Sequence, residues 1–149
     1  MSAGAPVDDG RCFACGPHNA DGLQLRFEPS AEDAVRAHIT LPPRFQGWRG
    51  TAHGGIVMTL LDEAMAHACR LIGERGVTAS MQIRFRGPVP LGAPLVVTGC
   101  VKWQKRQVIA LEATVEHADG TLLASAEGSF VSRGPLGKEP FGAPDLTFA

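Results

Sequence analysis

Hydrophobic and polar residues alternate along two early stretches of the chain. Leu23, Leu25 and Phe27 stand between polar neighbours, and Val35, Ala37, Ile39 and Leu41 do the same. This is the period-2 signature of strands with one buried face. Pro42 and Pro43 stop the second stretch, and a loop through Gly47 and Gly50 follows. The period then changes. Val57, Leu60, Leu61, Ala64, Ala68 and Leu71 recur at helical spacing, predicting one helix from about Gly54 to Ile72 that Gly73 and Gly76 terminate. Strand patterns return in the run containing Met81, Ile83 and Phe85, and at Leu95 to Trp103, Val108 to Val115 and Leu122 to Val131, with Asp119-Gly120 as a hairpin turn.

The expected order is therefore two strands, one long helix and four more strands in a meander, an α+β architecture. A lone helix beside one antiparallel sheet should be wrapped by that sheet, because neither layer can otherwise bury its apolar face. Residues 12–131 carry the pattern and form one expected domain. Residues 1–11 are small, polar and unpatterned, and residues 132–149 are rich in Gly and Pro, so both ends are expected to be loose or draped over the surface.

Composition narrows the partners. With 149 residues, 44% of them hydrophobic, the chain can bury a core without disulfide staples. A formal net charge of −1 supplies no basic field for nucleic acid or anionic lipid. No apolar stretch approaches a membrane span, and the N-terminus has no secretory pattern. The expectation is a cytoplasmic protein with Cys12, Cys15, Cys69 and Cys100 reduced, the last two as small buried hydrophobes. Cys12-x-x-Cys15 with His18 invites a metal reading, but nothing nearby in sequence supplies a fourth ligand, so the expectation is a protein without metal or cofactor. Lys102, Lys105, Arg106, Arg84 and Arg86 read mostly as solvated strand faces, with contacts to the phosphates of a ligand as the alternative, and none is assigned.

The helix carries two adjacent carboxylates of different character. Asp62 points away from the main apolar stripe, yet its helical neighbours are Gly55, Met58, Met65, Ala66 and Cys69. A carboxylate on an apolar face loses hydration, which raises its pKa and suits it to proton handling. The same face asks for a second subunit to cover it. Glu63 falls instead on a polar stripe with Thr59, His67 and Arg70 and reads as structural. Two glycines follow His53 at the helix start, where backbone N–H groups and the helix dipole can receive a carbonyl oxygen. Asp62 lies about two turns up the helix from Gly55, too far for one chain to serve a single carbonyl with both groups. A site assembled from two subunits fits that spacing.

The string H-G-G-I-V-M-T-L-L-D-E-A-M, from His53 to Met65, resembles the hotdog-fold thioesterases of the PaaI-like group. Cys12-Phe13-Ala14-Cys15-Gly16-Pro17 with Asn19 and Gly22-Leu23, and Ile83-Arg84-Phe85 with Gly87-Pro88-Val89, are similar to other parts of that group. The resemblance implies a helix wrapped by six antiparallel strands, dimers whose sheets join side by side or tetramers of them, and acyl-CoA hydrolysis without metal. It implies Asp62 as base or nucleophile, Gly55 as backbone donor to the thioester carbonyl with His53 holding the loop, and Thr78 as a group that orients the attacking water. Gly54, Gln46 and Met58 are then expected to line the substrate site. Some relatives carry Asn six residues before the H-G-G histidine, where this chain has Gly47, with Gln46 beside it as a possible amide source.

Two other functions stay open at this stage. Hydratase or dehydratase chemistry on acyl thioesters uses the same fold, but a His followed by Pro-Gly is not found around His53. A non-catalytic acyl-CoA binding protein is the other, and a regulator of that kind would be expected to carry a further domain.

Overall fold

The computed structural model describes residues 6–31 and 33–136. The element order is β1 (Glu28–Pro29), β2 (Ala34–Thr40), α1 (Gly54–Leu71), β3 (Glu74–Phe85), β4 (Pro94–Lys105), β5 (Val108–His117) and β6 (Leu122–Pro135). All strands belong to one six-stranded sheet in the order β1-β2-β4-β5-β6-β3, with antiparallel neighbours. The helix packs on one face of that sheet and contacts β2 through β6. Val57, Leu60, Leu61, Ala64 and Ala68 are fully buried there, as their spacing predicts.

Backbone close approach, rather than side-chain interdigitation alone, seats the helix. A Cβ at Gly99 of β4 would fall 2.2 Å from the Ala64 carbonyl oxygen, and one at Gly128 of β6 would fall 2.7 Å from the Met65 sulfur. Asp119-Gly120 makes the expected hairpin: Gly120 adopts φ 97, and Thr121 N–H donates to Asp119 Oδ1 at 2.9 Å.

Five local expectations are corrected. Residues 23–27 form no strand, because Gln24 takes φ 51 and the segment bonds back to the cysteine loop through Leu23 N–H to Phe13 O and Leu25 N–H to Ala14 O. Leu23, Leu25 and Phe27 are nevertheless buried while Gln24 and Arg26 are exposed, so the alternation reported burial and not sheet pairing. The last four strands are not one meander: β4, β5 and β6 are, whereas β3 crosses to the far edge and, among the described residues, pairs only with β6. Gly73, at φ 79, ends the helix alone, and Gly76 lies inside β3. Met65 and Cys69 belong to the core under β3 and β6, not to an uncovered face, while Cys100 is only half-buried.

Strand β6 continues past Val131 to Pro135, and Leu136 N–H bonds Gly73 O at 2.8 Å. Near the N-terminus, Asp8 meets Arg70 of the helix at 3.2 Å. Residues 1–5 and 137–149 lie outside the described residues. Among the described residues no helix is long and apolar enough to cross a membrane.

Candidate active site

Asp62 sits half-buried on α1 where the helix passes beneath β3, and Thr78 donates its hydroxyl to Asp62 Oδ1 at 2.6 Å. A β-bulge makes that bond possible. In β3, Met81 and Ile83 face the helix, and strict alternation from them would turn Ala79 and Val77 inward. The register slips instead between Thr78, opposite Phe130, and Ser80, opposite Ser129. Ala79 is the extra residue, so Thr78 and Gly76 point at the helix, with Thr78 aligned with the buried Phe130. Burial raises the Asp62 carboxyl above its usual range; the Thr78 hydrogen bond opposes that, and the charge of Glu63 adds to it.

Asp62, Glu63 and Thr78 line one cavity of about 580 Å³ together with Cys12, Cys15 and Asp8. Glu63 does pair with His67, at 3.3 Å, but this stripe is not a surface. His67 is 2% exposed and stacks on Phe27 with ring centroids 4.7 Å apart, because residues 12–27 fold over it. Burial opposes ionisation of Glu63, yet hydrogen bonds from His67, Cys12 and Cys15 outweigh it and hold the carboxyl below its usual range. Burial likewise lowers His67, which favours a neutral ring donating to the Glu63 carboxylate.

The His53-Gly54-Gly55 loop lies outside this cavity. His53 is the N-cap of α1, and its Nδ1 accepts the Gly55 N–H at 2.9 Å. The donor expected at Gly55 is therefore engaged within the chain, while no described residue accepts the Gly54 N–H. Gln46 is also occupied, its Oε1 accepting the Gly50 N–H at 3.0 Å. Gly47 has a steric reason: a Cβ there would lie 2.9 Å from His53 Cα, so the loop has no room for the Asn of some relatives. Met58, on the Asp62 face, is 42% exposed.

The structure thus joins Asp62 to Thr78 and keeps both apart from His53, Gly54, Gly55 and Gln46. Gly55 and Asp62 share a helix face seven residues apart, a rise of roughly 10 Å. Sequence reasoning missed the approach of Cys12 and Cys15 to Glu63, whose only linear signal is the C-x-x-C-G string itself.

A family model described as the thioesterase superfamily matches residues 49–124. The chain is 30% identical over 106 residues to the acyl-coenzyme A thioesterase THEM5 of Mus musculus, a match covering 70% of this chain and 42% of the relative. It is 35% identical over 78 residues to acyl-coenzyme A thioesterase 13 of Homo sapiens, covering 50% of this chain and 56% of the relative. The chain spans about half the length of the curated relatives it matches. Among solved structures, a thioesterase superfamily protein superposes with a TM-score of 0.78 at 29% identity, over 88% of this chain and 68% of the other. The E. coli PaaI protein from the phenylacetic acid degradation operon gives a TM-score of 0.70 at 23% identity, over 76% of this chain and 82% of that one, a likeness of fold. Because the family-matched stretch contains α1 with Asp62 and runs through β3, β4 and β5, and the wrapped helix superposes on these folds, the chain belongs to the thioesterase superfamily and has its hotdog fold.

Proposed function

We propose that the protein hydrolyses acyl-CoA thioesters to a free acid and CoA in a site shared by two copies of the chain. The observation that carries this reading is the half-buried Asp62, held by Thr78 on the wall of a cavity with its pKa raised. Asp62 takes a proton from a water that attacks the thioester carbonyl, and the proton passes to the departing CoA thiolate. Alternatively, Asp62 attacks the carbonyl itself, expelling CoA thiolate and leaving a mixed anhydride that water hydrolyses to the acid and free Asp62, with one proton of that water going to the thiolate. The carbonyl oxygen is received at the positive end of α1 in the other copy, at Gly54 N–H, joined by Gly55 N–H once that amide releases His53. On the same reading the protein acts in the cytoplasm, where free cysteines stay reduced.

Two features support a shared site. Strand β3 has 12 residues and, among the described residues, only β6 as a neighbour, leaving a long open edge of the kind proteins pair or cover. Met58, Val77 and Phe85 are exposed apolar side chains on α1 and that strand. Joining two β3 edges extends the sheet and covers them. Sedimentation at low micromolar concentration is expected to give a dimer or tetramer; a folded monomer would remove the shared site.

The activity is tested by release of free thiol from a panel of acyl-CoA esters differing in chain length and including aromatic acyl groups. Thiol release with the free acid as the product supports hydrolysis. Binding without release points to a carrier, and a hydrated acyl-CoA of unchanged thioester content points to hydratase chemistry. Thr78→Val gives a second check. The Thr78 hydrogen bond lowers the Asp62 pKa against burial, so its loss raises that pKa further. The acid limb of the kcat/KM profile, already expected above the ordinary carboxylate range, should move to higher pH in Thr78→Val. A limb that stays or moves down contradicts Asp62 as the base.

A further inference from the structure

We propose that Cys12, Cys15 and Glu63 form a binding site for one thiophilic divalent cation of the zinc class, with a fourth position open to the cavity beside Asp62. This does not depend on the thioesterase reading. The ligand atoms of the three residues all lie within 4.8 Å of one another, and Cys12 Sγ is 3.4 Å from Glu63 Oε1. A tetrahedral ion with sulfur at about 2.3 Å and oxygen at about 2.0 Å sets donor separations of roughly 3.5–3.8 Å, so small side-chain shifts close the set.

The cysteine loop is built to hold a thiolate. The backbone amides of Ala14 and Cys15 both act on the Cys12 sulfur, the former at 3.4 Å, and Gly16 N–H bonds Cys12 O at 2.8 Å. A Cβ at Gly16 would lie 2.4 Å from Cys12 N and 2.5 Å from Gly10 O, so only glycine permits this tight turn. A hydrogen bond from Cys15 is the main influence bringing the Cys12 pKa down to about 7, against burial and the charge of Glu63. Cys15 is pushed up, first by donating that hydrogen bond and then by burial.

Two thiols and a carboxylate converge from segments 51 residues apart, a mixed sulfur and oxygen donor set of the kind that binds zinc-class cations. Arg70 lines the same cavity, held by Asp8 at 3.2 Å, and its charge favours the Cys15 thiolate. Three protein donors with an open fourth position is the arrangement that leaves a bound ion able to take water or a ligand. Thiolate donors favour zinc-class ions over magnesium or calcium. Binding releases the thiol protons, so affinity should rise with pH. His18, the sequence's third candidate ligand, packs on Gly10 and stays outside the cluster.

The test uses the reduced chain stripped of metal and titrated with Co²⁺, then Zn²⁺. The expected result is one equivalent of cobalt with tetrahedral visible bands and near-ultraviolet thiolate-to-cobalt bands, displaced by one equivalent of zinc. Zinc should also protect Cys12 and Cys15 from alkylation. Cys12→Ser and Cys15→Ser should each reduce the thiolate bands and weaken affinity by on the order of tenfold or more, since even outer-sphere losses cost that much. Glu63→Gln should keep the thiolate bands, alter the visible bands and weaken affinity. If that variant does not fold, the two serine variants and the alkylation pattern decide the matter. No saturable uptake by the folded, reduced protein, or uptake unchanged in the Cys12→Ser/Cys15→Ser pair, overturns the proposal.

Discussion

Asp62→Asn is expected to lower kcat by on the order of 10²-fold or more while acyl-CoA binding and the fold persist, because an amide keeps the side chain's shape and cannot take a proton. Circular dichroism melting and single-turnover thiol release measure the two halves of that statement. The direction of the pKa shift fixes the stability side. Burial raises the folded-state value of Asp62, so stability falls as pH rises from the unfolded pKa through the raised one. At neutral pH the amide avoids that cost, and the Tm of Asp62→Asn should match or exceed the parent's. Glu63 has the opposite sign. Its folded pKa is held down, so its contribution is present at neutral pH and is lost as pH falls through the folded value. Glu63→Gln should therefore lower Tm, reflecting charge-assisted hydrogen bonds worth about 1.5–3 kcal/mol. Parental turnover in Asp62→Asn would remove the residue from the chemistry.

Gly99→Val should abolish the fold or destabilise it by about 3 kcal/mol or more, the upper end of overpacking costs. Even the Cβ of alanine at this position would fall 2.2 Å from the Ala64 carbonyl oxygen and 2.5 Å from its carbon, atoms of helix backbone that cannot rotate aside. Gly73→Ala is a useful contrast, because Gly73 has φ 79 but nothing within 4 Å of a Cβ, so only conformational strain opposes it. Urea melts of the three proteins measure this difference. A Gly99→Val protein as stable as Gly73→Ala would mean that α1 does not rest on β4.

The apolar period alone located α1, β2, β4, β5 and β6, because in each the burial pattern is imposed by the element's own geometry. That Asp62 and Glu63 take different neighbours was also legible, since 100° around a helix axis separates them, but not that both line one cavity. Where a strand goes after it forms is set by which partners lie beside it in space. Alternation could therefore give neither the move of β3 to the far edge nor the absence of a strand at residues 23–27. The Ala79 bulge escapes for a related reason. It depends on the mismatch between two paired strands, and it alone turns Thr78 toward Asp62. The chain's own order thus determined one long helix, its wrapping strands and the carboxylate worth suspecting. Tertiary structure decided what surrounds that carboxylate: Thr78 through a bulge, and Cys12 and Cys15 through a loop folded 51 residues back onto Glu63, contacts that arise because close packing joins segments whose sequences carry no mark of one another.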